Sequence, residues 1–529
     1  MSARRAGSTT TTRIGIMLLC LPVMAVAPPP SAAAAVPCPA TFRLGTDLNG
    51  DGFEDAVVGN PYATVNGRAE AGSVTVLFGD ADGRIGEGAR RVLTQADGGS
   101  RPEAGDHFGW SLSINEITSN RREGLLVGSP HEDAPGAVDA GIAQVIQLVP
   151  PGQAGAGRAV GVTLTQADAG GQVEAGDEFG SSVVLGDARG RDNGFSFVGA
   201  PGEDVDGVSD AGVINGLWGG DSSTSPLPQL SAGKQVGQGT GNMPGVPQAG
   251  DRFGASLAIA DLAVNPFRHY LFTGAPGDEV DGQDGAGSVT VASLEDAFYA
   301  QGPPGVPEAP IQLLTQNSTD VPGTAEAGDA FGTSIATGNQ WPASLACGPW
   351  EYAIGVPGED IGRMRDAGGV NLFDSVSSSL RPVGWLDQNE PGLGRAEVGD
   401  RFGATVAIRP TNDGLAVGAP GEDVGTALNA GAIGLADGSM SAPTNLRTLT
   451  LDSPGVPSSA RYGDRLGSSM GAQSGRQENI IAVGAPRLSG GLVLVLPEAD
   501  GPVRAWTSGR GGVPETARFG SALSGLNVH

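Results

Sequence analysis

Lysine is nearly missing from this 529-residue chain: Lys234 stands alone among 31 basic residues, against 58 acidic ones and a formal charge of −27. Phosphate binding needs clustered cations, so this balance excludes nucleic acid as a partner and favours solubility and divalent cations. Histidine is scarce too. Only His107, His131, His269 and His529 occur, and none sits in a local zinc or catalytic spacing. Of the three cysteines, Cys38 and Cys347 could pair in an oxidising compartment, but spacing leaves the geometry open. Beyond the N-terminus no stretch approaches the ~20 apolar residues that span a bilayer, so no transmembrane anchor is expected. Helical periodicity is nearly absent as well.

What is present begins with an export signal. Arg4, Arg5 and Arg13 precede an apolar run from Ile14 to Ala27, followed by small residues from Ser31 to Ala35. Residues 1–35 read as a signal peptide and 36–529 as the mature chain, secreted to the extracellular space. Leu19 and Pro37 precede Cys20 and Cys38 where a lipobox wants a small residue, so a free or non-covalently held monomer is expected. Losing three arginines leaves 28 basic against 58 acidic residues, a charge of −30.

Self-similarity dominates the rest. A Gly-x-Pro element recurs seven times, at Gly59, Gly128, Gly199, Gly274, Gly355, Gly418 and Gly484. A Gly-Asp-x-Phe-Gly element surrounds Phe108, Phe179, Phe253, Phe331 and Phe402, with Leu466 substituting in a sixth copy and a reduced copy at Phe519-Gly520. A third element is Ala-Gly before an alternating apolar strand, as in Ala71-Gly-Ser-Val-Thr-Val-Leu77, and Leu-Thr-Gln recurs more weakly at Leu93, Leu164 and Leu314. Period-2 alternation bounded by Gly, Pro and Asp gives four short strands per unit. A four-stranded sheet cannot hide both faces alone, and stacking such sheets radially makes a propeller. The expected fold is therefore an all-β, seven-bladed β-propeller of four-stranded antiparallel blades. Unit one lacks a Phe-Gly strand before it, whereas the chain ends just after Phe519-Gly520. The C-terminal strand should complete the first blade and remove an open edge.

These Phe-Gly and Gly-Ala-Pro elements resemble the FG-GAP repeats of integrin α-subunits and related bacterial secreted proteins, over almost the whole mature chain. The resemblance implies the propeller. It does not imply integrin-like signalling, since no leg domains or β-subunit partner are evident, and propellers host both enzymes and binding modules.

Asp47-Leu-Asn49-Gly-Asp51-Gly-Phe53-Glu-Asp55 places oxygen ligands at positions 1, 3, 5 and 9, with Gly52 at 6 for the sharp turn. It reads as a Ca2+ loop, with Asp47, Asn49, Asp51 and Asp55 binding through side chains and Phe53 through its carbonyl. Val58 stands where an EF-hand has glutamate, so the loop resembles the β-hairpin calcium loop of FG-GAP repeats. An Asx-rich turn without metal is the alternative. Arg189 and Arg191 interrupt the corresponding stretch of blade three, and blade four has no acidic series after Asp261, so one calcium is expected. Acid pairs also follow the Gly-x-Pro turns, among them Glu203-Asp204, Glu359-Asp360 and Glu422-Asp423. They should gather on one rim, either to bind cations or a basic partner, or simply as solvated acidic loops.

Enzyme signals are weak. Gly467-Ser-Ser469-Met-Gly471 matches G-x-S-x-G but lies on the repeated Phe-Gly strand, with no elbow into a helix. Gly220-Asp221-Ser222 resembles a lipase block without a supporting histidine motif. The expectation is an extracellular calcium-binding, integrin-like adhesion or binding module for an unidentified protein or carbohydrate. The alternatives are a secreted hydrolase or lyase on polysaccharide or lipid, with a pocket at the propeller axis, and a lectin, although the six tryptophans show no repeat regularity.

Overall fold

The three motif series meet in space at the joins between blades. A computed structural model describes residues 46–526 except 118–121, 154, 187–194, 221–228, 262–268, 295–297, 299–310, 340–349, 377–378, 410–413, 475–478, 488–489, 498–501, 509–517 and 524. The signal peptide, Cys38, Cys347, Asp221, Ser222 and most of the degenerate loops of blades three and four lie outside those residues.

Seven antiparallel sheets form a closed β-propeller. In blade 2 the four strands are Leu112–Glu116, Glu123–Ser129, Ile142–Leu148 and Ala159–Leu164, and blades 3 to 7 repeat this order outward from the axis. Blade 1 is composite: Ala56–Asn60, Ser73–Leu77 and Arg90–Leu93 are joined by C-terminal Ala522–Leu523, with Gly59 opposite Ala522 and Val58 opposite Leu523. The expected closure is therefore present. Past it the chain makes one pairing that the repeats did not suggest, where Gly525–Leu526 runs parallel to Ser113 and Ile114 of blade 2.

Seven apolar clusters fill the seven joins. Val57, Val76, Phe108 and Val127 pack between blades 1 and 2, for example, and Val58, Val493, Trp506 and Phe519 close blade 7 onto blade 1. Each repeated Phe, and Leu466 in its place, is at most 1% exposed. Its amide donates to the carbonyl of the Ala-Gly alanine in the preceding blade, as Phe331 does to Ala286 at 2.9 Å and Phe402 to Ala367 at 2.9 Å, with Gly490 in the alanine's place for Phe519. The following glycine turns its carbonyl onto the Gly-x-Pro glycine of that same preceding blade. A Cβ on Gly59, Gly128, Gly199, Gly274, Gly355, Gly418 or Gly484 would sit only 1.9–2.3 Å from that oxygen, so these positions must be glycine. Strand burial also differs from the expected half-buried pattern. Ala56–Asn60 and Ser73–Leu77 are buried along their whole length, because each inner strand has a neighbouring blade on both faces.

The same carbonyl accepts a hydroxyl hydrogen bond from the preceding blade. Ser111, Ser182, Ser256, Ser334, Thr405 and Ser469 donate to Gly180, Gly254, Gly332, Gly403, Gly467 and Gly520 at 2.5–2.8 Å. The seventh equivalent is Ala522, which has no hydroxyl and is 8% exposed. Ala522→Ser should therefore complete the ring toward Gly109 and raise stability by about 1 kcal/mol in denaturant titration; no gain would mean that this join differs from the other six. Deleting residues 515–529 should lower Tm sharply by reopening blade 1, and a truncated chain melting like the parent would disprove closure.

Candidate functional site

The loop before Ala56–Asn60 is organised by its own side chains. Asp47 accepts the amides of Gly50 at 2.7 Å, Asp51 at 3.0 Å and Gly52 at 2.8 Å, and Asn49 Oδ1 accepts that of Asp51 at 2.8 Å. Asp51 accepts the amide of Phe53 at 2.9 Å. Gly50 and Gly52 have φ of 75° and 95°, which allow the chain to curl inside its carboxylates. Asp55 is fully buried and fastens the loop to the blade, accepting Leu48 N at 2.9 Å and Gly79 N at 3.0 Å. Burial pushes its carboxyl up to about 8, and the charges of Asp47 and Asp51 add to the effect. The donors are all oxygen, and burial with the charges of Asp47 and Asp51 disfavours ionisation of Asp55 without a counter-charge, which fits a hard divalent cation.

Glu123, from the second strand of blade 2, belongs to this site although nothing in the loop spacing marks it. Burial, with the charges of Asp47, Asp55 and Glu116, pushes its carboxyl up to about 8, and Oε2 is buried without a hydrogen-bond partner. Only propeller stacking brings blade 2 against the loop, where a Cβ on Gly50 would lie 3.1 Å from Pro150.

The rim acids divide into two roles. The first acid of each pair points into the join and meets a glutamine from the preceding blade: Gln95 to Glu132 at 2.7 Å, Gln166 to Glu203 at 2.6 Å, Gln238 to Asp278 at 3.1 Å, Gln316 to Glu359 at 2.6 Å and Gln388 to Glu422 at 2.7 Å. These glutamines include those of the Leu-Thr-Gln series, whose role the sequence did not reveal. The second acid pins its own hairpin. Asp204 accepts Asp210 N at 3.0 Å, Asp360 accepts Asp366 N at 3.0 Å, and Asp423 accepts Asn429 N at 2.7 Å. Glu174, Asp177 and Glu203 bring one oxygen each within 4.8 Å of one another.

Residues 40–77 match the FG-GAP repeat. The match spans the calcium-type loop and the first two strands of blade 1. No curated protein matches the chain. Similar solved structures include an apocarotenoid oxygenase from Synechocystis, 10% identical at a TM-score of 0.38 over 87% of this chain and 90% of that one. A six-bladed fucose-recognising lectin from Aleuria aurantia is 11% identical at 0.31, over 76% and 96%. At these scores neither likeness bears on function.

Within the propeller Ser469 is one of the six hydroxyls that bridge blades, which accounts for its place in G-x-S-x-G. The axis holds a cavity of about 180 Å³ lined by Leu112, Val183, Leu257, Ile335, Val406 and Met470 from six blades, with Thr337 as its polar side chain. Among the described residues that line it none is an acid or a base.

Burial pushes Glu203, Glu359 and Glu422 up from 4.5 to about 7. A carboxyl with a raised folded pKa keeps its proton longer when folded, so its penalty is absent below pH 4.5 and complete above about pH 7. Stability in chelator should therefore fall as pH rises through that window, by about 1 kcal/mol per site after solvent screening. Replacing all three by glutamine should make the profile shallower and leave the part due to Asp55 and Glu123; an unchanged slope would exclude the three as a source.

Proposed function

We propose that this chain is a secreted, calcium-binding, integrin-like propeller that serves outside the cell as a binding or adhesion module for a protein or carbohydrate. The observation that carries this reading is where the recurring polar side chains go. Serines, glutamines and first-position acids join blade to blade, and the side chains lining the axial cavity are apolar but for Thr337, so the ring is a rigid frame whose loops are its variable surface. The leader at residues 1–35 supports export.

Asp47, Asn49, Asp51 and Asp55 would hold Ca2+ through side chains and Phe53 through its carbonyl, with Glu123 contributing charge from the next blade. A bound ion would neutralise this cluster and so fasten blade 1 to blade 2. Chelation should lower Tm, and Asp51→Ala should abolish the calcium response. Calcium at a hundred times Kd contributes about 2.7 kcal/mol. Identical melting curves with and without chelator would exclude a stabilising ion. The binding role is tested by glycan and secreted-protein arrays with calcium present and absent. Turnover of a glycan or ester substrate, lost on a single pocket substitution, would overturn it.

A further inference from the structure

The loops of blades 1 and 2 break the repeat at one place. Glycine follows the Gly-x-Pro proline at Gly202, Gly277, Gly358 and Gly421, and a Cβ there would sit 1.9 Å from the carbonyl oxygens of Gly176, Gly250, Gly328 and Gly399. Blades 1, 2 and 7 carry Tyr62, His131 and Arg487 instead. Facing His131 is His107, at the variable position of Gly-Asp-x-Phe, and beside it Trp110 replaces the Ser, Ala or Thr of the other blades. Two of the four histidines and two of the few aromatics thus converge where the scaffold asks for none of them.

Two ring nitrogens face each other there. His107 Nδ1 and His131 Nδ1 are 2.8 Å apart, with the rings tilted at 75°. Tyr62 packs edge-on against His107 at 5.1 Å, and Trp110 against His131 at 5.5 Å, while Arg518 covers the Tyr62 ring at 4.3 Å. Glu70 Oε2 lies 3.6 Å from His107 Nε2, a nitrogen otherwise buried without a hydrogen-bond partner. A carboxylate there favours the tautomer with hydrogen on Nε2, which leaves the Nδ1 lone pair directed at the second imidazole.

We propose that His107 and His131 form an imidazole site for a divalent transition-metal ion of the Zn2+, Ni2+ or Cu2+ class, bound through both Nδ1 atoms, with Glu70 as the positioning residue. Imidazole nitrogen selects these ions over Ca2+. The site follows strand Ala56–Asn60 whereas the calcium-type loop precedes it, a separation of about 16 Å for five extended residues, so the two are independent. The strongly acidic chain draws cations toward it.

The test is calorimetric titration of the mature chain with ZnCl2 in saturating Ca2+, which fills the carboxylate sites first. One Zn2+ per chain should bind at micromolar Kd. Affinity should fall at least tenfold in His131→Gly, which restores the residue of four other blades, and in His131→Phe, which keeps the ring but removes its nitrogens. Glu70→Gln should weaken binding about tenfold. Nitrogen-15 histidine spectra should show both Nδ1 atoms without hydrogen in the Zn2+ complex. Absence of Zn2+ binding, parental affinity in both His131 variants with parental melting curves, or a protonated Nδ1 in the complex would each overturn the proposal.

Discussion

Seven contacts between glycines set how closely the blades can stack. In each, the Gly-x-Pro glycine lies under the Phe-Gly carbonyl of the next blade, at a distance that leaves no room for a Cβ. That approach puts the Ser or Thr hydroxyl within reach of the same oxygen and seats the repeated aromatic ring in the join. Each element of the repeat is thus one side of a single junction, which explains why the motifs recur together. Because the seventh junction is made by Phe519 and Gly520 from the far end of the chain, closure uses the same contact as every other join.

Acidic residues are distributed on that frame by role. The first acid after each Gly-x-Pro turn is half-buried or buried against a glutamine, while the second holds a hairpin whose next anchoring residue has positive φ, as Asp210 does at 50° and Asp366 at 52°. Where the pair is lost, both partners change. Leu451 occupies the glutamine place before blade 7, and Leu488, outside the described residues, stands in sequence where the acid would be. In sequence two apolar residues thus stand where two polar ones recur, as expected when neither polar partner can be left buried alone.

A scaffold this regular makes its departures informative. Blade 1 holds the acidic loop with Glu123 brought in from blade 2, and the same two blades carry the aromatic and histidine cluster at the other end of the strand. Both arise where the composite blade meets its neighbour, so the least repetitive join is also the one richest in unusual chemistry.

Blade number, strand order, closure and the turn at Asp47–Asp55 were all legible in the sequence, because each is written in local pattern: period-2 alternation, positive-φ glycines and Asx residues that cap their own turn. Three things were not. Glu123 lies 68 residues beyond Asp55, and His131 is 24 residues from His107 with no motif linking them, so their proximity exists only once blades stack. The acid pairs looked alike in sequence, yet one member turns into the join and the other to its hairpin, a division set by which side of the turn faces the neighbouring blade. Sequence determined the repeating unit, since local sterics and hydrogen bonding specify a blade; tertiary structure decided which residues of different blades meet, because only ring closure fixes the register between them.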